Sequence, residues 1–366
     1  RYAFRSTEVW EKVLDKADKS SECSFISNGK YSVMLYANGR RRSVFGDILI
    51  ASPGGHYGPG EGISFWFVTG GIAKPLTPYP FAAGDMEYSC SLSLAGCGIS
   101  ARGAGFLSKT ETYVPDFETG EVHSLTLVNT GEGLLSGELA FYMQPVLAAE
   151  KNHYSHQSFS KLCVQTAYKD GTLTVKRRKG GAIAPITLSI KASEPFTYDT
   201  FREKTCGRGA GRALPYALLK KPENSCGDPL DPCVLIRFPV KIKPSSEKKI
   251  FIALGVGTES SEASESAARL LLLCGKEKMY WGLGAASRFG LSAQAIEAAM
   301  ELAARLNTGE KTATHIEKQY GRKDLWKYGV SGDFLVYGVH VNEADAEKMS
   351  EFMREHGFLK SLGFSY

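Results

Sequence analysis

In the stretch VLIRFPVKI, residues 234 to 242, Val234, Ile236, Phe238, Val240 and Ile242 recur two apart. Side chains alternate between the faces of an extended chain, so these five share one face and Arg237, Pro239 and Lys241 the other. That pattern predicts a half-buried antiparallel strand. Pro239, which donates no ladder hydrogen bond, favours an edge or a bulge. Other short runs rich in β-branched and aromatic residues, YSVMLYA, ISFWFV, SLTLV and KKIFIALGV, recur between turns of Gly, Pro and Asn from about residue 22 to 257. One open sheet would leave so many apolar faces in water, so the chain is expected to be mainly β, with a large β-sandwich.

After residue 257 the period lengthens. Ala263, Ala267, Leu270, Leu271 and Cys274 recur at three- and four-residue intervals, as do Ile296, Ala299, Met300, Ala303 and Leu306. These stripes predict two linker helices, joined through GKEKMYWGLGAASRFG. A third stripe, Ala346, Met349, Phe352, Met353 and His356, follows Asn342, which reads as its N-cap. An isolated amphipathic helix needs a partner. The organisation expected is a helical or extended lead-in over 1–21, a sandwich over 22–257, a helical linker over 258–305 and the incomplete beginning of a helical domain over 306–366.

The chain has 366 residues, more than single cores usually reach. Its 44 basic and 39 acidic residues leave a formal charge of +5, too modest and too dispersed to nominate a nucleic acid. The compact basic runs, Arg40 to Arg42 and Lys176 to Lys179, read as solvated strand ends or turns. Eight scattered cysteines lack paired CxxC spacing and lead to an expectation of reduced thiols in a cytoplasmic protein. No apolar run of about 20 residues could cross a bilayer as a helix. The glycines from Gly54 to Gly62 precede a strand rather than a helix and do not form a phosphate cradle.

Several polar blocks invite a functional reading. In AEKNHYSHQSFSK, residues 149 to 161, His153 and His156 suit loop hydrogen bonds or sugar contacts, with Tyr154 and Phe159 as apolar faces; no H-E-x-x-H pattern supports a metal site. FTYDTFREKTCGRGAGRALP combines Asp199, Arg202, Glu203, Arg208 and Arg212 with glycines. Its arginines would read a ligand or anchor loops to the sheet. CGDPLDPC, residues 226 to 233, holds Asp228 and Asp231 in a rigid turn, whose proximity in sequence does not establish a catalytic pair. In GRKDLWKYGVSGDF, residues 321 to 334, Trp326 and Tyr328 offer faces to sugar C–H groups and Asp333 accepts from adjacent hydroxyls. Equally, Trp326 would pack in a corner between helices and Asp333 would cap the next one.

Five phrases in order, SNGKYSVML at 27–35, HQSFSKLCVQT at 156–166, TYDTFREKTCGRG at 197–209, DPCVLIRFPVKI at 231–242 and LWKYGVSGDF at 325–334, resemble the β-glucan phosphorylases of glycoside hydrolase family 94. The nearest in character are β-1,2-oligoglucan phosphorylase and the phosphorylase-like region of cyclic β-1,2-glucan synthase. The resemblance implies a large β-sandwich, linker helices and then an (α/α)6 barrel carrying the active site. It implies that inorganic phosphate, as cosubstrate without any cofactor, attacks a β-linked oligosaccharide with inversion and releases an α-sugar 1-phosphate. An aspartic acid protonates the departing oxygen.

Trp326, Gly329, Ser331, Gly332 and Asp333 match the family's phrase for the barrel opening, whereas Val330 and Phe334 replace the usual isoleucine and leucine. His156, Phe159, Ser160 and Lys161 match the sandwich phrase, with Gln157 where proline is frequent. The phrases end before the general acid, so no catalytic residue is expected in this chain. Trp326, Tyr328 and Asp333 are candidates for the barrel entrance, and His153, His156 and Arg208 for sandwich-loop contacts. No metal is expected. The resemblance also implies a homodimer and, as a further partner, the remainder of the barrel in the same or a separate chain. The competing expectation is a stand-alone carbohydrate-binding or structural module.

Overall fold

The computed structural model describes residues 11–16, 22–53, 62–178, 185–206, 216–274, 281–308, 323–331 and 345–364. The chain is mainly β, a large β-sandwich followed by helices. Its largest sheet has nine strands, in the order β1 (Glu11–Leu14), β8 (Glu87–Ser93), β9 (Cys97–Gly103), β10 (Phe106–Tyr113), β11 (Gly120–Asn129), β19 (Glu247–Gly257), β16 (Thr187–Ala192), β15 (Thr172–Arg177) and β14 (Val164–Lys169). A five-stranded sheet runs β17 (Thr197–Phe201), β18 (Pro232–Ile242), β12 (Leu135–Met143), β6 (Ser64–Thr69) and β7 (Ile72–Pro75). A second runs β13 (Pro145–Ala149), β5 (Ile48–Ala51), β4 (Arg41–Phe45), β3 (Tyr31–Tyr36) and β2 (Cys23–Ser27).

One core cluster joins all three sheets. Leu92, Ile99, Leu125, Ile252 and Leu254 of the large sheet share it with Phe67, Phe141, Ile236 and Phe238 of the first five-stranded sheet and with Val33 and Leu35 of the second. Burying these aromatic and branched side chains is the main drive to sheet pairing, at about 1.5–3 kcal/mol for each fully buried one. Phe67 meets Phe106 edge to face, ring centroids 5.1 Å apart.

The alternation in 234–242 is realised only in part. β18 is flanked by β12 and β17, and Cys233, Leu235 and Arg237 are buried together with the predicted face. Arg237, expected on the outer face, is ion-paired to Glu138 and donates to the Lys220 carbonyl. β17 begins opposite Arg237, so Pro239 lies beyond its flanking strand, where no donor is needed on that side.

The basic runs also depart from expectation. Arg41 is sealed between the sheets, its Nη1 donating to Thr112 Oγ1 at 2.9 Å and lying 3.2 Å from His123 Nδ1. Ser43 Oγ donates to Glu121 at 3.0 Å, and His123 Nε2 stands 3.7 Å from the same carboxylate. Burial pulls Arg41 down to about 10 against the pull of Glu121; it raises Glu121 and holds His123 well below the usual imidazole range. Arg177, in the other run, is buried too and donates to the carbonyls of Ser160 and Val146. A run of bases reads as surface, but a strand sends alternate residues inward whatever their charge.

Helices α1 (Glu150–Ser155), α2 (Gln157–Leu162) and α3 (Arg202–Cys206) are short; α1 and α3 follow strands directly, and α2 follows α1 after His156. α4 (Ser260–Leu273) lies on the outer face of the large sheet, with Ala263, Ala267 and Leu270 buried against it. Gly255 permits this: a methyl there would collide with the backbone of Ala263 and Ala267. Beyond lie α5 (Trp281–Arg288), α6 (Ala293–Thr308), α7 (Lys323–Trp326) and α8 (Ala346–Ser361).

α5 and α6 pack on β2 and α8 packs on both helices; Phe364, just beyond α8, meets Phe25 edge to face at 5.8 Å, and Cys23 Sγ donates to the Met300 carbonyl. α8 starts later than predicted: Asp345, not Asn342, holds the N-cap position, and Asn342 itself lies outside the described residues. Phe358, Leu359 and Leu362 seat the end of α8, while Ala346, Met349 and Met353 of the expected stripe are exposed. No helix among the described residues is long and apolar enough to cross a membrane.

Candidate functional site

β13 carries a bulge. Its pairing to β5 shifts between Pro145 and Ala148, and the buried Leu147 takes a left-handed backbone with φ 53°. The chain then turns through α1 and α2, whose six-residue lengths are too short to persist without tertiary support. Arg42 supports α1 by donating to Glu150 from both Nε, at 3.1 Å, and Nη2, at 2.7 Å.

Asp231 supports α2 and α3 together. Lys161 Nζ reaches one carboxylate oxygen at 3.0 Å and Arg202 Nη1 the other at 3.0 Å, with the Gln144 amide 3.5 Å from the first. The loop that ends at Asp231 is pinned at three more points. Asp199, itself buried, accepts from the backbone N–H groups of Glu223 and Ser225 and from the Ser225 hydroxyl. Thr166 N donates to the Gly227 carbonyl at 2.7 Å, and Arg202 N to the Asp231 carbonyl at 3.0 Å. Asp199 and Arg202 therefore anchor this loop.

Asp228 stands at the outer end of the loop, taking bonds from Gln165 Nε2 at 2.6 Å and Arg178 Nη2 at 2.7 Å. The Gln165 bond first, then Arg178, hold its carboxyl below the usual range. Three stretches far apart in sequence, 144–165, 178–202 and 223–231, thus form one polar block with apolar side chains around it. Phe159 is 68 % exposed and Leu230 73 %.

His153 and His156 separate. His153 is buried, neither ring nitrogen has a hydrogen-bond partner, and its ring meets Tyr154 edge to face at 5.2 Å. Burial first, then the charges of Lys161 and Arg177, push its pKa down to about 4, so it stands neutral. Buried in this way it is closed to direct contact with a sugar, contrary to the expectation of a loop donor. His156 is exposed at the junction of α1 and α2. Arg208 lies outside the described residues.

At the other candidate, Trp326 and Tyr328 are 59 % and 73 % exposed. Trp326 Nε1 donates to the Ser331 carbonyl at 3.3 Å, and Lys327 lies over the Tyr328 ring at 4.9 Å. Asp333 lies outside the described residues. No hydrogen bond or ion pair joins Trp326 or Tyr328 to His153 or His156. No group of three or more metal-ligating side chains occurs among the described residues. All eight cysteines are free thiols. The sequence weighs Asp228 only as half of an unestablished catalytic pair, reads Arg178 as a solvated strand end and does not nominate Gln165; the DPLDP turn, with its two rigidly held carboxylates, is the signal that points to the block.

The profile of the glycosyl hydrolase 94 supersandwich domain matches residues 70–271. This chain belongs to that family. The match runs from β7 to α4 and takes in the Asp231 block. Among solved structures, one similar chain is a protein from the human microbiome described as a kojibiose phosphorylase, with 9 % identity and a TM-score of 0.48 over 82 % of this chain and 42 % of that one. Another is a bacterial glucoamylase complexed with acarbose, with 10 % identity and a TM-score of 0.47 over the same shares. A third, described as an aldose 1-epimerase from Escherichia coli K12, has 11 % identity and a TM-score of 0.39 over 64 % of this chain and 98 % of that one. The chain thus spans less than half the length of the first two. No curated protein matches it.

Proposed function

We propose that this family 94 chain is the non-catalytic, sandwich-bearing portion of an inverting β-glucan phosphorylase acting on β-1,2-linked oligoglucans. In this reading residues 22–257 form the sandwich domain, 258–305 the linker and 306–366 the first part of an (α/α)6 barrel. The general acid and the phosphate site belong to the rest of the barrel, supplied by the same or a separate chain. Phosphate serves as nucleophile and needs no cofactor. The complete enzyme is a cytoplasmic homodimer in which the Asp231 block of one copy approaches the barrel mouth of the other, while Trp326, Tyr328 and Asp333 line the entrance of their own barrel.

The supersandwich match over 70–271 carries the reading. The Asp231 block supports it, since loops held from three sides lose little further freedom on meeting a substrate. Family enzymes need one carboxylic acid beside the scissile bond, and proton transfer alone contributes roughly 10²- to 10⁴-fold. The pure chain, incubated with β-1,2-linked oligoglucans and phosphate, is therefore expected to release no α-glucose 1-phosphate. A gene product that continues through the barrel is expected to release it. Robust release by the 366-residue chain alone would overturn the non-catalytic assignment.

A further inference from the structure

The outer rim of the Asp231 block has a chemical character distinct from its buried side. Both bonds to Asp228 end on Oδ1, so Oδ2 accepts none among the described residues. The carboxylate is 62 % exposed, and Arg178, half exposed, has further N–H groups beyond the one it gives to Asp228. Fixed acceptor and fixed donors therefore stand side by side. Arg178 N donates to the carbonyl of Cys163, and Cys163 Sγ donates to the carbonyl of Phe159, so the backbone that carries Arg178 is tied to the helical turn that carries the exposed Phe159. Leu230 adds a second apolar surface between Asp228 and Asp231.

We propose that this rim, Phe159 with Asp228, Arg178 and Gln165, is a subsite for one or two residues of a neutral sugar chain. This rests on the glucan-processing reading above. A pyranose presents C–H patches suited to an aromatic face, and hydroxyls that both donate and accept at its edge. Asp228 Oδ2 accepts a hydrogen bond from one sugar hydroxyl and an Arg178 N–H donates one to a hydroxyl oxygen. A neutral hydroxyl fits better than an anion, because Arg178 stands beside the Asp228 carboxylate and Lys161 and Arg202 are both paired to Asp231. Asp231 acts as a positioning residue: it fixes α2 against the loop and so sets Phe159 relative to Asp228. Rigid placement of this kind lowers the ordering cost of a weak contact.

The test is a calorimetric or magnetic-resonance titration of the whole chain with β-1,2-, β-1,3- and β-1,4-linked gluco-oligosaccharides, and separately with inorganic phosphate. At least one glucan should bind, weakened about tenfold by Phe159→Ala, equivalent to about 1.4 kcal/mol, and less by Asp228→Asn. Arg305→Ala, which removes an exposed pair on α6, should leave binding unchanged. Phe159 and Asp228 are exposed, so both variants keep the fold, which circular dichroism checks. Failure of all three glucans to bind, binding unchanged in both variants, or displacement of the glucan by phosphate would each overturn the subsite. So would self-association abolished by Phe159→Ala without any sugar binding, which assigns the rim to a protein contact. Binding of β-1,4- but not β-1,2-linked chains supports the subsite and overturns only the linkage proposed above.

Discussion

Between the sheets, Arg41, Glu121 and His123 are shut away from water, whereas at the end of the sandwich Lys161, Arg202 and Asp231 lie partly in it. Both clusters join an arginine to a carboxylate, and both bridge segments distant in sequence. In the first the guanidinium and the carboxylate are held through Thr112, Ser43 and an imidazole that burial keeps neutral. In the second the carboxylate meets two cations directly at 3.0 Å. The difference teaches that position relative to solvent, not residue type, decides what such a group does. A sealed cluster fixes how sheets meet and tolerates no loss, while an open one holds a loop and keeps valence for a visitor.

The sharpest way to break the comparison is to remove one charge from each cluster. Arg41→Ala leaves Glu121 without its compensating cation and should cost about 3–5 kcal/mol, insensitive to salt. Urea denaturation at low and high salt measures both. Restoring that loss with Arg41→Met combined with Glu121→Leu would confirm that the uncompensated charge, rather than the lost volume, is responsible.

Acid tests the buried imidazoles. An unfolded histidine titrates near 6.5, whereas His153 in the fold takes its proton only near pH 4. The unfolded chain binds more protons between these values, so stability should fall as pH drops through that window, by up to about 3 kcal/mol for His153. His123 acts in the same direction. His153→Phe keeps a ring without a titrating nitrogen and should flatten the denaturation midpoint against pH between 4 and 6.5. An unchanged slope would assign the effect elsewhere.

Asp231→Asn gives the smallest loss. Its carboxylate is one-third exposed, so both ion pairs are screened, and about 1 kcal/mol is expected, shrinking further in salt. A loss as large as that of Arg41→Ala, unaffected by salt, would dissolve the distinction drawn here.

β3, β6, β11, β18 and β19 could be read from sequence because a short β-branched and aromatic run between turn residues is a local property of neighbouring residues. The seat of α4 was equally plain in Ala263, Ala267 and Leu270. α1 and α2 were not: each has six residues, many of them Ser, His, Asn or Gln, and Arg42, Asp231 and Arg177, contributed from elsewhere, hold them in shape. The two halves of the candidate rim share this difficulty. Arg178 and Asp228 are 50 positions apart, and no spacing rule connects them. The burial of Arg41 and Arg177 was hidden for a simpler reason, since a run of three or four bases outweighs alternation unless the neighbouring strands are known. At α8 the stripe was visible, but which part of it would be covered depended on where α5 and α6 lie.

The bare backbone of Gly255 under α4 governs how this protein can change length over generations. One residue inserted or deleted between β19 and α4 would turn the helix by about 100° and bring Glu262 and Ser266, or Ser264 and Ala268, over a place with no room for a methyl on the strand side. Descendants of this chain should therefore vary in the spacing of exposed hairpins long before they vary by a single position between Gly257 and Ser260, and a lineage that breaks that rule should carry a compensating shift of three or four.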